Sequence, residues 1–292
     1  MPYQSVFRDT LFAGQVVIVT GGGSGIGRCT AHELARLGAR LVLVGRKIDK
    51  LNSVAAEIRS DNPGAAEVVC FSCDIREEAA VAEMVKAALA QCGRIDGLVN
   101  NAGGQFPAPL SQTSQKGWDA VVRNNLTGGF LMARECYTQW MADHGGAIVN
   151  IVADMWMGMP NMGHSGAARA GMVNFTETAA TEWGVSGVRV NAVAPGWIAS
   201  SGMDTYPDWM KPLIREMKTH VPLQRLGTEA EVSAAIVYLL SPAASFISGT
   251  TLRVDGAVPN ARRHYPLPKH NKSQAFDGFH RSVVPAVLKE GD

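Results

Sequence analysis

Short apolar runs alternate with helix-length segments along most of this 292-residue chain. The runs are continuously rich in Val, Ile and Leu, which is typical of strands buried on both faces of a sheet. A helix between two such strands folds back as a right-handed βαβ unit, so the alternation predicts a parallel sheet with helices on both sides. The predicted strands are residues 16–20, 41–45, 68–72, 97–100, 148–152, 189–193 and 251–254, and the predicted helices are residues 27–37, 48–60, 77–91, 118–143, 167–183, 212–219 and 229–240.

The chain is therefore predicted to be an α/β protein, a single doubly wound Rossmann domain with a parallel seven-stranded sheet over residues 1–256. No repeat or linker interrupts the alternation in this part. Residues 257–292 differ, because prolines recur there and periodicity is weak. We expect this irregular C-terminal extension to pack on the same domain or on a neighbouring subunit.

Composition and charge exclude several classes of protein. The formal net charge is +1, which argues against a nucleic-acid partner. No apolar run approaches the ~18 residues of a membrane span, and the N-terminus lacks the pattern of a secretory signal, so we expect a cytoplasmic protein. Cys70 and Cys73 form a single C-x-x-C without a second pair, and we predict no metal site.

A glycine-rich turn follows the first predicted strand and opens the first predicted helix. The segment from Thr20 to Gly27 reads TGGGSGIG. Glycines let a backbone approach a nucleotide pyrophosphate, and a helix N-terminus supplies amide donors and the positive end of a dipole. This context predicts a dinucleotide site. The residues assigned to it are Gly21, Ser24, Gly25, Ile26 and Gly27.

The end of the second strand indicates which dinucleotide is bound. An NAD enzyme places a carboxylate there for the ribose 2′-hydroxyl, whereas an arginine accommodates the 2′-phosphate of NADP. The segment from Val44 to Lys47 reads VGRK and contains no carboxylate. Arg46 offers a planar fork to a phosphate, so we predict NADP (NADPH) as the cofactor.

The chain resembles the short-chain dehydrogenases/reductases over nearly its whole length. The resemblance rests on the glycine turn, on NNAG at residues 100–103, on Asn125, and on PGWI at residues 195–198. It implies a nicotinamide cofactor, with one aspartate facing the adenine and a later loop flanking the nicotinamide. The further cofactor residues carried over are Asp74, Ile75, Asn101, Ala102, Gly103, Arg169, Pro195, Gly196 and Ile198.

The catalytic Ser, Tyr and Lys of most members of this family are not matched. The corresponding positions hold Ala153, Ser165 and Arg169. A general acid is worth about 10²–10⁴-fold, so ordinary ketone reduction should be impaired. Reduction of an activated C=C bond tolerates this loss, because the enzyme mainly needs donors aimed at an enolate oxygen.

Local matches are similar to the peroxisomal-type trans-2-enoyl-CoA and 2,4-dienoyl-CoA reductase branch of the family. They are AGGQF at residues 102–106 and HSGAARAG at residues 164–171. The resemblance implies a small-molecule substrate, an acyl-CoA, and a homotetramer. The catalytic candidates carried over are Asn125, Gln105 and Ser165 for the thioester oxygen, with Arg169 on the cofactor ribose.

Two alternatives stay open. The first is an alcohol dehydrogenase or ketoreductase with a relocated general acid, for which Tyr206, Asp154 and His164 are candidates. The second is a non-catalytic NADP-binding protein.

Two further segments bear on the substrate. A cluster of Met and Trp follows the fifth strand and would suit an acyl chain, although core packing is an equal alternative. A basic stretch would suit coenzyme A phosphates or a solvated surface; its residues are Arg262, Arg263, His264, Lys269, His270 and Lys272.

Overall fold

The structure is a computed structural model that describes residues 2–261 and 266–289. A parallel seven-stranded sheet in the order β3-β2-β1-β4-β5-β6-β7 forms its centre. The predicted fold class is confirmed. The strands are β1 (Val16–Thr20), β2 (Arg40–Gly45), β3 (Val68–Ser72), β4 (Gly97–Asn100), β5 (Gly146–Ile151), β6 (Val188–Pro195) and β7 (Thr251–Val254).

Helices cover both faces of the sheet. They are α1 (Gly25–Arg36), α2 (Ile48–Asp61), α3 (Glu78–Cys92), α4 (Gln115–Val122), α5 (Gly128–Cys136), α6 (Ala142–His144), α7 (Gly163–Trp183), α8 (Lys211–Glu216), α9 (Glu229–Leu240) and α10 (Ala286–Lys289). No helix in the described residues is both long enough and apolar enough to cross a membrane.

Alternate residues of one strand pack into two separate cores, which explains the continuous apolar runs. Val17 and Val19 join the core beneath α1, α2 and α9. Val16 and Ile18 join the core beneath α3, α5 and α7. A strand with neighbours on both faces has no polar side, so it shows no alternation in sequence.

The strand order places a crevice beside β1. Val17 is in register with Leu41 of β2 on one side and with Gly97 of β4 on the other. After β1 the chain forms β2 and β3 on one side of β1, and it then crosses to form β4 on the other side. In open α/β sheets, ligands bind outside the carboxyl ends of the strands at this switch point.

Two predicted helices differ from those observed in a way that affects the site. The single predicted helix over 118–143 is interrupted by π-helical turns at Arg123–Thr127 and Tyr137–Met141. The predicted helix over 167–183 begins four residues earlier, at Gly163. Ser165 therefore lies inside the first turn of α7, one turn before Arg169.

Candidate functional site

The glycine turn between β1 and α1 has the backbone that its sequence predicts. Gly21 and Gly25 have φ angles of +66° and +56°, in the left-handed region that favours glycine. A Cβ on Gly27 would lie 2.4 Å from the carbonyl oxygen of Gly21 and 2.5 Å from Nδ2 of Asn101. Gly27 therefore serves close packing of α1 against the turn, and it lines neither of the two cavities described below.

Side-chain hydrogen bonds join the loops after β1 and β4. The backbone N–H groups of Asn101 and Ala102 each donate to Oγ1 of Thr20 over 2.9 Å. Nδ2 of Asn101 donates to the carbonyl oxygen of Thr20 over 3.0 Å. These bonds fix the two loops that border the switch-point crevice.

A cleft of about 410 Å³ occupies this crevice. It brings together many residues predicted from sequence for the cofactor: Gly21, Ser24, Ile26, Arg46, Asp74, Ile75, Asn101, Ala102 and Gly103. Gly25 lines an adjoining cavity that includes Glu229. The cleft is also lined by residues that were not predicted from sequence: Lys47, Lys50, Asn124 and Ser200. Lys47 could have been found, because it follows Arg46 directly.

One end of the cleft is positively charged. Arg46, Lys47 and Lys50 line it, and none of these side chains forms a salt bridge in the part of the chain that the structure describes. Both carboxylate oxygens of Asp74 accept from Arg76, and these hydrogen bonds lower the pKa of Asp74 to about 2. The cationic groups at this end are therefore available to an anion.

A second cavity, of about 520 Å³, adjoins the cleft and shares Ile26, Asn101, Gly103 and Ser200 with it. Its wall is largely apolar. Met159 and Met162 of the Met and Trp cluster line it, whereas Met155, Trp156 and Met157 of the same cluster do not. Met203, Met210 and Met217 come from residues 201–217 and were not predicted.

Three side chains form a hydrogen-bonded chain at the wall of this cavity. Oγ of Ser165 donates to Oε1 of Gln105 over 2.6 Å. Nε2 of Gln105 donates to the hydroxyl oxygen of Tyr206 over 3.1 Å. Ser165 is fully buried, whereas Gln105 and Tyr206 line the cavity. The serine fixes the glutamine amide, and the remaining N–H of Gln105 and the O–H of Tyr206 are left to donate.

Asn125 does not lie free in the cavity. Its Oδ1 accepts from the backbone N–H of Gly104, and its Nδ2 donates to the carbonyl oxygen of Gly104, each over 2.9 Å. The side chain is buried within the π-helical turn. Asn125 therefore holds the loop that carries Gln105, and it lines neither the cleft nor this cavity.

Arg169 is a buried cation beside the cavity. Its Nη1 donates to the carbonyl oxygen of Ile151 over 2.5 Å, and its Nε has no partner. Burial lowers the pKa of Arg169 to about 10. A Cβ on Gly103 would lie 2.6 Å from Nη2 of Arg169, so the guanidinium lies close against the backbone of this loop. An unsatisfied buried donor at this place fits the hydroxyl groups of a nicotinamide ribose.

Several other predicted residues also line the second cavity. Pro195, Gly196 and Ile198 line the second cavity, as do Ala153 and Asp154. Oδ1 of Asp154 has no partner, and burial together with the carboxylate of Asp255 raises its pKa.

His164 is not part of this lining. Its imidazole is 1% exposed, and its Nδ1 accepts from the backbone N–H of Ser165 over 2.7 Å. Burial lowers the pKa of His164, so the ring stays neutral. Of the three relocated acids considered, only Tyr206 and Asp154 reach the cavity.

Comparisons with known proteins agree with this fold and site. Residues 21–258 match a family model described as Enoyl-(Acyl carrier protein) reductase. The probable 2,4-dienoyl-CoA reductase [(2E)-enoyl-CoA-producing] of Bacillus subtilis (strain 168) is 37% identical over 83% of this chain and 95% of that protein. The peroxisomal 2,4-dienoyl-CoA reductase [(3E)-enoyl-CoA-producing] of Rattus norvegicus is 36% identical over 87% of each chain.

A solved structure is more similar in sequence. It is a citronellol catabolism dehydrogenase of Pseudomonas aeruginosa PAO1, with 60% identity and a TM-score of 0.79 over 88% of this chain and all of that one. The chain belongs to the short-chain dehydrogenase/reductase family. It is an oxidoreductase of a family that uses nicotinamide cofactors, similar to the dienoyl-CoA reductases within it.

Proposed function

We propose that this protein is an NADPH-dependent reductase of the C=C bond of an enoyl-CoA or dienoyl-CoA. The observation that carries the proposal is the chain of Ser165, Gln105 and Tyr206 beside the cofactor cleft. It provides two donors for an oxyanion at a site where the family's usual Ser, Tyr and Lys positions hold Ala153, Ser165 and Arg169. Curated relatives named as 2,4-dienoyl-CoA reductases support the same chemistry.

When bound, the nicotinamide supplies a hydride to the unsaturated chain. The free N–H of Gln105 and the O–H of Tyr206 donate to the thioester oxygen, where negative charge develops as an enolate. Donors fixed in advance by their own hydrogen bonds stabilise such charge at little reorganisation cost. Overall, the unsaturated thioester gains one hydride and one proton, and NADPH becomes NADP⁺.

Asp154 is the proposed source of the proton that reaches carbon. Its carboxyl lines the cavity, and its raised pKa favours the protonated form. An acid whose pKa lies above the usual range keeps its proton nearer to neutral pH. Activity should therefore fall as the pH rises through the pKa of Asp154, and Asp154→Asn should remove that limb of the pH profile.

The preference for NADPH rests on the charge at the end of the cleft. Arg46, Lys47 and Lys50 line it, and the end of β2 carries no carboxylate for a free ribose 2′-hydroxyl. An arginine fork and two ammonium groups match a 2′-phosphate.

The apolar wall of the second cavity indicates the shape of the substrate. Five methionines line it, Met159, Met162, Met203, Met210 and Met217. Thioether side chains are flexible and polarizable, so they adapt to irregular apolar chains. We infer an acyl chain in this cavity.

A second candidate function is oxidation of a branched alcohol or reduction of the matching aldehyde. The 60% identity to a citronellol catabolism dehydrogenase favours it. Tyr206 would then be the acid that protonates the carbonyl oxygen.

Assembly and location complete the proposal. The family resemblance favours a homotetramer built through the long helices α5 and α7. Phe130 of α5 is 37% exposed and contacts Phe175 of α7, so an apolar side chain is available there for a partner subunit. We retain the cytoplasm as the location, although some relatives are named as peroxisomal.

The test is NADPH oxidation with matched substrates of one chain length. They are a trans-2-enoyl-CoA, a 2,4-dienoyl-CoA, a 3-oxoacyl-CoA, and the branched aldehyde citronellal. Turnover of the unsaturated thioesters supports the proposal if it is lost in Gln105→Leu and kept in a control variant. The control is Gln139→Leu, in the π-helical turn that precedes α6. Turnover of the aldehyde or the 3-oxo thioester alone contradicts it.

A further inference from the structure

The last part of the described chain runs from the body of the domain to residues 201–217. These residues line one side of the second cavity and are here named the cover. Residues 276–289, here named the C-terminal strap, lie beyond residue 258, where the family match ends. The strap is therefore not part of the shared architecture, and its contacts have to be explained from this chain alone.

One end of the strap is anchored by an aromatic side chain. Phe279 is 1% exposed and lies between Tyr3 and His32, with ring centroids 5.9 Å and 5.2 Å away. The guanidinium of Arg28 lies over the Phe279 ring at 5.3 Å. Burial of such a ring is favourable because it removes apolar surface from water, so this contact anchors the strap to α1.

An ionic anchor follows directly. Asp61, the last residue of α2, accepts from Nε2 of His280 over 2.7 Å and from Nη2 of Arg281 over 2.7 Å. The hydrogen bond from Arg281 holds the pKa of Asp61 well below its usual range. His32, Asp61 and His280 have the side chains of a metal site, but Arg281 occupies both carboxylate oxygens, so the cluster is an ion-pair anchor.

The other end of the strap holds the cover of the cavity. The backbone N–H groups of Ala286 and Val287 donate to the two carboxylate oxygens of Asp204, over 3.1 and 2.9 Å. Nε of Arg215 in α8 donates to the carbonyl oxygen of Val287 over 2.9 Å. Val287 is 2% exposed and packs with Met203, Met210 and Ile214.

The residues held in this way also face the substrate cavity. Met203, Met210 and Ile214 line it, and so does Tyr206, which comes two residues after Asp204. The segment 201–217 consists of short helical turns without a strand to pin it. Its position over the cavity depends on packing from the outside, and the strap supplies that packing.

We propose that the C-terminal strap positions residues 201–217 over the second cavity and thereby holds Tyr206 against Gln105. Asp204 and Val287 are positioning residues, because they act through the cover and do not reach the cavity. The role assigned to Tyr206 rests on the proposed function, whereas the restraint of the cover does not.

The test separates these two parts by measuring motion without substrate. Amide hydrogen exchange of residues 201–217 is compared in the full chain and in Asp204→Ala. The expected result is exchange faster by about fivefold or more, since opening free energies of loosely held segments govern exchange. Asp208→Ala is the matched control, because Asp208 lies in the same segment, has a side chain that is 93% exposed and pairs with Lys211 at the surface.

The second variant acts at the far anchor. Arg281→Ala removes one of the two partners of Asp61, at the anchor remote from Asp204, and Arg94→Ala, which removes an exposed partner of Asp96, is its control. The proposal requires faster exchange of residues 201–217 in Arg281→Ala as well. If Arg281→Ala remains folded and the exchange of residues 201–217 is unchanged, the proposed role of the strap is wrong, even if Asp204→Ala loosens the cover.

Kinetics then test the positioning of Tyr206. In Asp204→Ala the KM of the turned-over thioester should rise by about fivefold or more, and the Kd of NADPH should stay within about twofold, because a lid affects substrate capture more than a separate cofactor cleft. A changed NADPH affinity with an unchanged KM overturns the positioning role. If no thioester is turned over, the proposed function fails, and the exchange experiment still decides the strap.

Discussion

The cofactor cleft and the substrate cavity share a border but are built in different ways. The cleft is formed mainly by backbone: a glycine turn, the N-terminus of α1 and loops joined through Thr20 and Asn101. The cavity is formed by side chains from distant parts of the chain, and Gln105 and Tyr206 are 101 residues apart. A backbone site is set by local sequence, whereas a side-chain site depends on how the whole domain packs.

This difference also explains how each half can vary. Loops on a rigid scaffold tolerate change and carry specificity. The glycine turn tolerates little, because added atoms meet backbone. The cover, residues 201–217, can change its side chains without disturbing the sheet. Mutations should therefore have steep effects in the cleft and substrate-dependent effects in the cavity.

The largest effect is expected at the backbone of the cleft. Gly27→Ala places a Cβ 2.4 Å from the Gly21 carbonyl oxygen, and such overpacking costs about 2–3 kcal/mol. Because the turn must shift to admit this Cβ, Gly21 in the lining of the cleft is displaced, and calorimetric titration should show NADPH affinity reduced by ~100-fold, which is about 2.7 kcal/mol. Gly64→Ala is the control, because nothing lies within 4 Å of its Cβ. Equal affinities in both variants would contradict a tightly packed turn.

The next effect tests the side-chain half. Tyr206→Phe removes one donor but keeps the ring, and loss of one such donor costs about 10²-fold in kcat. Steady-state kinetics should show little change in NADPH affinity. Tyr137→Phe, whose hydroxyl contacts Ser186 away from the cavity, should retain activity. A normal kcat in Tyr206→Phe would remove the hydroxyl from the mechanism.

Glu229, a half-buried carboxyl beside the glycine turn, tests the electrostatic cost of the adjoining cavity. Burial raises the pKa of Glu229 to about 7 from a usual value of 4.5. The unfolded chain loses this proton near pH 4.5 while the folded protein keeps it, so stability declines as the pH rises from about 4.5 to 7.

Glu229→Gln should reduce this decline and be about 2 kcal/mol more stable than the parent at pH 8. Denaturant unfolding at pH 5 and pH 8 measures the difference. The exposed Glu83→Gln serves as the control. A parent protein whose stability does not fall over this pH interval would contradict the raised pKa.

The smallest effect concerns cofactor choice. Arg46→Ala should weaken NADPH by about tenfold and leave NADH nearly unchanged, since one charged contact to a phosphate contributes about 1.4 kcal/mol. Arg59→Ala, an exposed arginine of α2, is the control. Equal losses for the two cofactors would mean that Arg46 does not read the 2′-phosphate.

Much of the cleft could be predicted because its determinants are contiguous in sequence. The boundaries of β1, β3, β4, β7 and α9 were predicted without error, and the glycine turn lies where its pattern indicates. Repeated apolar runs and glycines carry this information locally.

The cavity could be predicted only in part. Gln105 and Ser165 were identified through resemblance, but nothing in the sequence indicates that Ser165 donates to Gln105 or that Asn125 is used by Gly104. The π-helical turn that buries Asn125 has no sequence pattern of its own. The methionines of the cover were missed because no periodicity relates residues 201–217 to the sheet.

The most direct test of the account follows the fate of the hydride. The protein is given NADPH deuterated on the transferred position, together with an α,β-unsaturated acyl-CoA and the α,β-unsaturated ketone of the same chain length. Mass spectrometry and NMR locate the deuterium in the products. The account predicts deuterium on a carbon of the former C=C bond of the thioester. Deuterium on the carbinol carbon of a reduced ketone, with the thioester untouched, would contradict it.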